Sequence, residues 1–113
     1  MQLDTYTAYC LNKYRAEALF PFNDQTWVCK VGGRIFTLAS IEPFERITVK
    51  CEPNRALQLR AQYTSVTPGY HMNKRHWNTI LLTAELTDAQ IFEMIDHSYE
   101  LVVAMLPAGW DKA

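Results

Sequence analysis

No stretch of this chain approaches the roughly 18 consecutive apolar residues that a membrane-spanning helix needs. Its opening, MQLDTYTAYC, has neither the basic start nor the apolar run of a secretory signal. A cytoplasmic address and no membrane partner are therefore expected. Cysteine is sparse: Cys10, Cys29 and Cys51 form an odd set at wide spacing, which argues against a disulfide framework. No C-x-x-C occurs, which removes zinc ribbons and thioredoxin-type sites. Cys29 and Cys51 fall in strand-like segments, where buried free thiols are common. Glycine numbers only four, and none of the four builds a Gly-x-Ser-x-Gly elbow or a P-loop. No paired carboxylates accompany a candidate base, so no enzyme and no cofactor are expected. Repeats, low-complexity tracts and Gly/Ser linkers are missing too, and residues 1–113 read as one domain.

What is present suffices for a single packed core, since 49% of the residues are apolar. The net charge of −1 conceals a strong polarity. Residues 46–76 carry six basic groups against Glu52 alone, for +5, and residues 77–113 carry Lys112 against six acids, for −5. Two readings fit: a charged partner, or packing of oppositely charged elements against each other.

Asp4 is placed to cap an opening helix whose Tyr6, Tyr9, Cys10, Lys13 and Tyr14 fall at helical spacing. Phe20 before Pro21 is pushed to extended geometry. TWVCKVGGRIFTLA reads as a β-hairpin around Gly32-Gly33. In RITVKCE, Ile47, Val49 and Cys51 face one way and Arg46, Thr48 and Lys50 the other, which predicts a sheet with one buried and one wet face. Pro53 opens a second helix with Ala56, Leu57, Leu59 and Tyr63 on its apolar side and Arg60 near the border. After Thr67-Pro68-Gly69, a strand forms around HWNTILL. Thr87 and Gln90 have capping-box spacing for a last helix with a stripe through Ile91, Ile95, Ser98/Tyr99, Val102 and Leu106, stopped by Pro107 and Gly109. The order predicts an α+β two-layer fold, a largely antiparallel sheet with helices packed on one face.

FPF (20–22), KVGGRIFTL (30–38), VKCEP (49–53), VTPGYHMNKRHWNTI (66–80) and SYELVVAMLP (98–107) together resemble the MmcQ/YjbR family of small bacterial proteins, in the family's order and over nearly the whole chain. Where the family pattern carries Gly after the first helix and after Phe-Pro-Phe, this chain reads Tyr14-Arg15-Ala16 and Asn23, and Met105 stands where many members have Lys. The resemblance implies a CyaY-like α/β fold and a DNA-binding role through a winged, sheet-based surface.

TPGYHMNKRHWNTI is the densest polar stretch. His71 and His76 are five residues apart, which suits neither one face of a helix nor one face of a strand, and no carboxylate lies between Glu52 and Glu85. A tetrahedral metal site needs three or four ligands, so no metal is expected. Lys74 and Arg75 are suited to phosphate, with Asn73 and His71 adding hydrogen bonds and Lys50 supporting from the same sheet face as Arg46. The bland alternative makes Trp77 a core anchor, Tyr70 a sheet-edge aromatic, and Lys74 and Arg75 solvated charges that guard the sheet edge. A second functional class is a protein-interaction module presenting Phe20, Phe22 and Trp110. The expectation is a nucleic-acid-binding module, with DNA as its partner and Lys74, Arg75, Lys50, Asn73 and His71 as its contacts.

Overall fold

In the computed structural model, which describes residues 1–112, the hairpin forms where Gly32 and Gly33 lie in sequence. Both take positive φ, 57° and 80°, which lets β2 (Thr26–Val31) turn directly into β3 (Arg34–Ser40). A short β1 (Glu17–Leu19) pairs with the outer side of β2, and β4 (Arg46–Lys50) with β3. The helix α2 (Pro53–Gln62) carries the chain outward to β5 (Val66–Pro68), and β6 (Trp77–Leu81) returns between β4 and β5. The result is one antiparallel sheet in the order β1-β2-β3-β4-β6-β5. The helices α1 (Leu3–Leu11), α2 and α3 (Asp88–Ala104) pack against it, as an α+β fold.

The core lies between sheet and helices. Tyr6 and Cys10 from α1, Trp27 and Cys29 from β2, Ile47 and Val49 from β4, Ile80 from β6 and Ile91, Ile95 and Val102 from α3 are all buried there. Tyr6 packs edge-on against Trp27, and its hydroxyl pairs with Thr37 Oγ1 at 2.7 Å. The pairing of β2 with β3 slips at Cys29/Lys30, where Phe36 is the extra residue. That bulge turns both Phe36 and Thr37 inward, and both are fully buried.

The last helix begins as its sequence predicts. Thr87 Oγ1 accepts from the Gln90 amide, and the Gln90 side chain accepts from the Thr87 amide. Three local expectations are corrected. Asp4 lies in the first turn of α1, whose N-cap is Gln2 with no side-chain bond. α1 also stops at Leu11, so Lys13 and Tyr14 follow it rather than extend it. Leu57 is 62% exposed, because α2 turns Ala56 inward, with Leu59 partly buried against the core. Arg15, within the Tyr14-Arg15-Ala16 stretch that follows α1, takes φ 57°, a left-handed conformation that a glycine adopts without strain.

Candidate nucleic-acid interface

On the sheet face turned away from the helices, alternation sets Arg46, Thr48 and Lys50 of β4 beside Leu81, Thr79 and Trp77 of β6. This face is not wet throughout, as alternation alone predicts. Thr48, Thr79 and Trp77 are buried on it, because the loop of residues 69–76 folds back across their strands. The Tyr70 amide donates to Thr79 Oγ1 at 2.8 Å, and Thr79 Oγ1 pairs with Thr48 Oγ1 at 2.9 Å. Gly69 makes the crossing possible: a Cβ there would lie 2.7 Å from Trp77 Cβ and 2.9 Å from its carbonyl oxygen. His71 then reverses the chain with φ 59°.

The loop distributes the expected contacts instead of gathering them. Lys74 and Arg75 are exposed and, with Arg60, Asn54 and Leu57, line an open depression of about 480 Å³ beside α2. Lys74 Nζ donates to the Gly69 carbonyl at 2.9 Å, which holds the ammonium at the loop rather than free in solvent. Asn73 closes the turn, its Oδ1 accepting the Arg75 amide at 2.9 Å. His71 is exposed with its ring against Tyr70, centroids 4.0 Å apart. Lys50 lies in a separate depression with Arg34, Met72 and Trp77, its ammonium 5.4 Å from the Trp77 ring centroid. Met72 lines this depression and also the groove that holds His71. Four of the five expected residues thus occupy three depressions around one loop, and the fifth, Asn73, shapes the loop itself.

Two arginines matter more than their sequence context suggests. Arg60 donates from Nε to Asn78 Oδ1 at 2.7 Å and from its terminal nitrogen to the carbonyls of Lys74 and Trp77. It thereby fixes the loop to α2 and to β6. Arg46 places its guanidinium 4.0 Å from the Tyr70 ring centroid. Its position on the sheet face follows from alternation, but the stack depends on a loop fold that no local pattern reveals.

Among the described residues there are two ion pairs, the N-terminus with Asp88 and Lys13 with Asp96. Neither involves Arg34, Arg46, Lys50, Arg60, Lys74 or Arg75. Asp96 also accepts from the Tyr9 hydroxyl at 2.6 Å, so Asp88 and Asp96 of the acidic last helix find their partners within the helix layer. Glu52 caps α2 through the Asn54 and Arg55 amides, which hold its carboxyl below the usual range. No group of three His, Cys, Asp or Glu residues converges among the described residues. No helix among them is long and apolar enough to cross a membrane. Trp110 is half-buried, its ring edge-on to Tyr14 at 6.3 Å, whereas Phe20 and Phe22 are exposed.

A family model described as YjbR matches residues 11–101. The chain is 38% identical over 88 residues to protein YbdF of Escherichia coli O157:H7, covering 77% of this chain and 72% of that protein. It is 32% identical over 108 residues to protein YjbR of Escherichia coli strain K12, covering 95% and 92%. A crystal structure of a Deinococcus radiodurans protein with a domain described as DUF419 superimposes with a TM-score of 0.89 at 32% identity, over 98% of this chain and 86% of that one. A Pseudomonas syringae crystal structure, at 23% identity, shares the fold with a TM-score of 0.77 over 90% and 99%.

Proposed function

The chain belongs to the YjbR family, and we propose that it binds nucleic acid, with DNA as the expected partner, through the cations around the 69–76 loop. It acts by binding, without chemistry of its own, and its place of action is the cytoplasm. One observation carries this reading: six basic side chains are spread around the 69–76 loop, some on the open sheet face and some at the α2 edge, and none is paired with a carboxylate. Cations free of carboxylates around one loop attract a polyanion, because each phosphate contact releases a condensed counterion. The net charge of −1 does not oppose this, since no carboxylate forms an ion pair with these six cations among the described residues.

The test is a titration of labelled duplex and single-stranded oligonucleotides at about 50 and 150 mM salt. With four to six phosphate contacts, log K falls against log salt with a slope of about −3.6 to −5.4 on duplex. Lys74→Glu combined with Arg75→Glu removes two contacts and cuts the slope by about 2. Absence of binding by the unaltered protein at about 50 mM salt, where such contacts are strongest, refutes the reading. A partner protein captured in a salt-indifferent way, and released by Phe22→Ala, supports an interaction module instead.

A further inference from the structure

The groove beside the loop has features that phosphate contacts do not use. Its floor is the middle of the open sheet face, Leu38 and Ser40 of β3 with Thr48 of β4. Phe22 rises on one side, from the segment that leads into β2, and Tyr70 on the other, anchored on β6. The enclosed volume is about 310 Å³, at the lower end of small-ligand sites. Phe22 is 66% and Tyr70 50% exposed. Two exposed aromatic rings lining one groove mark it as a site for an apolar or aromatic partner.

We propose that this groove receives a single unpaired nucleobase between Phe22 and the Arg46–Tyr70 stack, so that the preferred ligand is single-stranded; this rests on the nucleic-acid reading above. Three features favour the base over other occupants. First, the site is concave. Proteins read duplex grooves by inserting a convex element, whereas a hollow accepts a base turned out of the stack. Second, another wall of the groove is Tyr70 with the Arg46 guanidinium 4.0 Å from its ring centroid, and bases stack on both aromatic rings and Arg planes. Because Arg46 has no carboxylate partner among the described residues, its remaining N–H groups stay available to a base edge or phosphate. Third, polar groups sit at the rim. Asn23 Oδ1 is pinned by the amides of Gln25 and Thr26, both at 2.8 Å, leaving its Nδ2 as an uncommitted donor. The Lys74–Arg75–Arg60 depression lies at the far end of the same loop, where it can take the phosphates flanking an inserted base.

The experiment compares four ligands: a single-stranded oligonucleotide, the same length with abasic sites throughout, the matched duplex, and a free mononucleotide as competitor. The intact protein binds the single strand about tenfold or more tightly than the abasic strand, in line with stacking of one base. Phe22→Ala and Tyr70→Ala each erase that difference and leave the salt slope and abasic binding unchanged, whereas Tyr70→Phe retains it. Both positions are exposed, and a thermal melt confirms that the three variants fold. Equal affinity for the single strand and the abasic strand overturns the base pocket while the phosphate reading survives. Binding to none of the oligonucleotides refutes both. Displacement of the single strand by micromolar mononucleotide overturns the assignment of a polymer and makes a free nucleotide the occupant.

Discussion

Ser98 offers the sharpest stability test, because its hydroxyl takes the place of a missing rung in the sheet. β3 and β4 pair at Thr37–Val49 and Leu38–Thr48, and the next rung in that register joins Phe36 to Lys50. The bulge carries Phe36 out of line. Ser98 Oγ fills the gap, accepting the Lys50 amide at 2.8 Å and donating to the Phe36 carbonyl. The residue is fully buried. Ser98→Ala therefore strands one buried N–H and one buried C=O. At about 1–3 kcal/mol for each unsatisfied group, the loss is about 2–6 kcal/mol. In a domain of this size each kcal/mol moves Tm by about 4 °C, so the melt falls by roughly 8–24 °C. Urea unfolding followed by far-ultraviolet circular dichroism measures it directly: the midpoint drops and the slope m stays constant. A loss below about 0.5 kcal/mol would mean that the two strands close the rung without help, and the account of how α3 docks would be wrong. Since the same hydroxyl holds the Lys50 backbone, the variant also links core packing to the basic face.

Two further outcomes follow from burial. All three thiols are free and buried, and burial raises each of them, pushing Cys29 up to about 12 and Cys10 higher still. The folded protein should leave all three unreacted with an aromatic disulfide reagent at pH 8, and unfolding in urea should release three equivalents; rapid reaction of one thiol in the native state would contradict its burial. His97 Nε2 accepts the Glu52 amide at 3.2 Å, and burial, followed by the Arg55 guanidinium, holds its pKa below the ordinary value of 6.5. A depressed folded pKa means that the unfolded chain takes up the proton first. The stability this contributes is whole above about pH 6.5 and is lost as pH falls through the lowered folded value. Thermal melts between pH 7.5 and 5 should decline, and His97→Gln should flatten that decline; an unchanged pH profile would remove His97 from the account.

Elements built from neighbouring residues were the legible ones. Gly32-Gly33 specifies its turn by positive φ, Thr87 and Gln90 form their box across three residues, and the stripe of α3 follows from period alone. Features that depend on distant segments were not legible. Alternation assigned Thr48 to a wet face, but a loop more than twenty residues later covers it through Thr79. Leu57 is exposed because the number of residues that α2 can bury depends on its placement at the sheet edge. Within the candidate site, Lys74 and Arg75 stand out as an exposed basic pair in the sequence and are exposed in the fold. The tie of Lys74 to the Gly69 carbonyl, the clamp by Arg60 and the meeting of Phe22 with Arg46 and Tyr70 join segments that carry no mark of each other.

The charge polarity resolves into layers rather than ion pairs. Had the acids of α3 neutralised the basic stretch 46–76, the open face would be electrically blank and Lys74 and Arg75 would be ordinary solvated charges. Instead Asp96 is engaged by Tyr9 and Lys13, and Asp88 by the N-terminus, all within the helix layer. A sheet about one strand-layer thick then separates opposite signs by roughly 10 Å, close to one Debye length at physiological salt. At longer range the two layers cancel, and little steering of a polyanion is expected from a chain of net charge −1. At contact range they do not cancel, because screening isolates the basic face from the acids behind it. Association by this surface should therefore be slow relative to strongly basic binders, and its affinity should rest on short-range contacts, which is the regime in which a stacked base adds most.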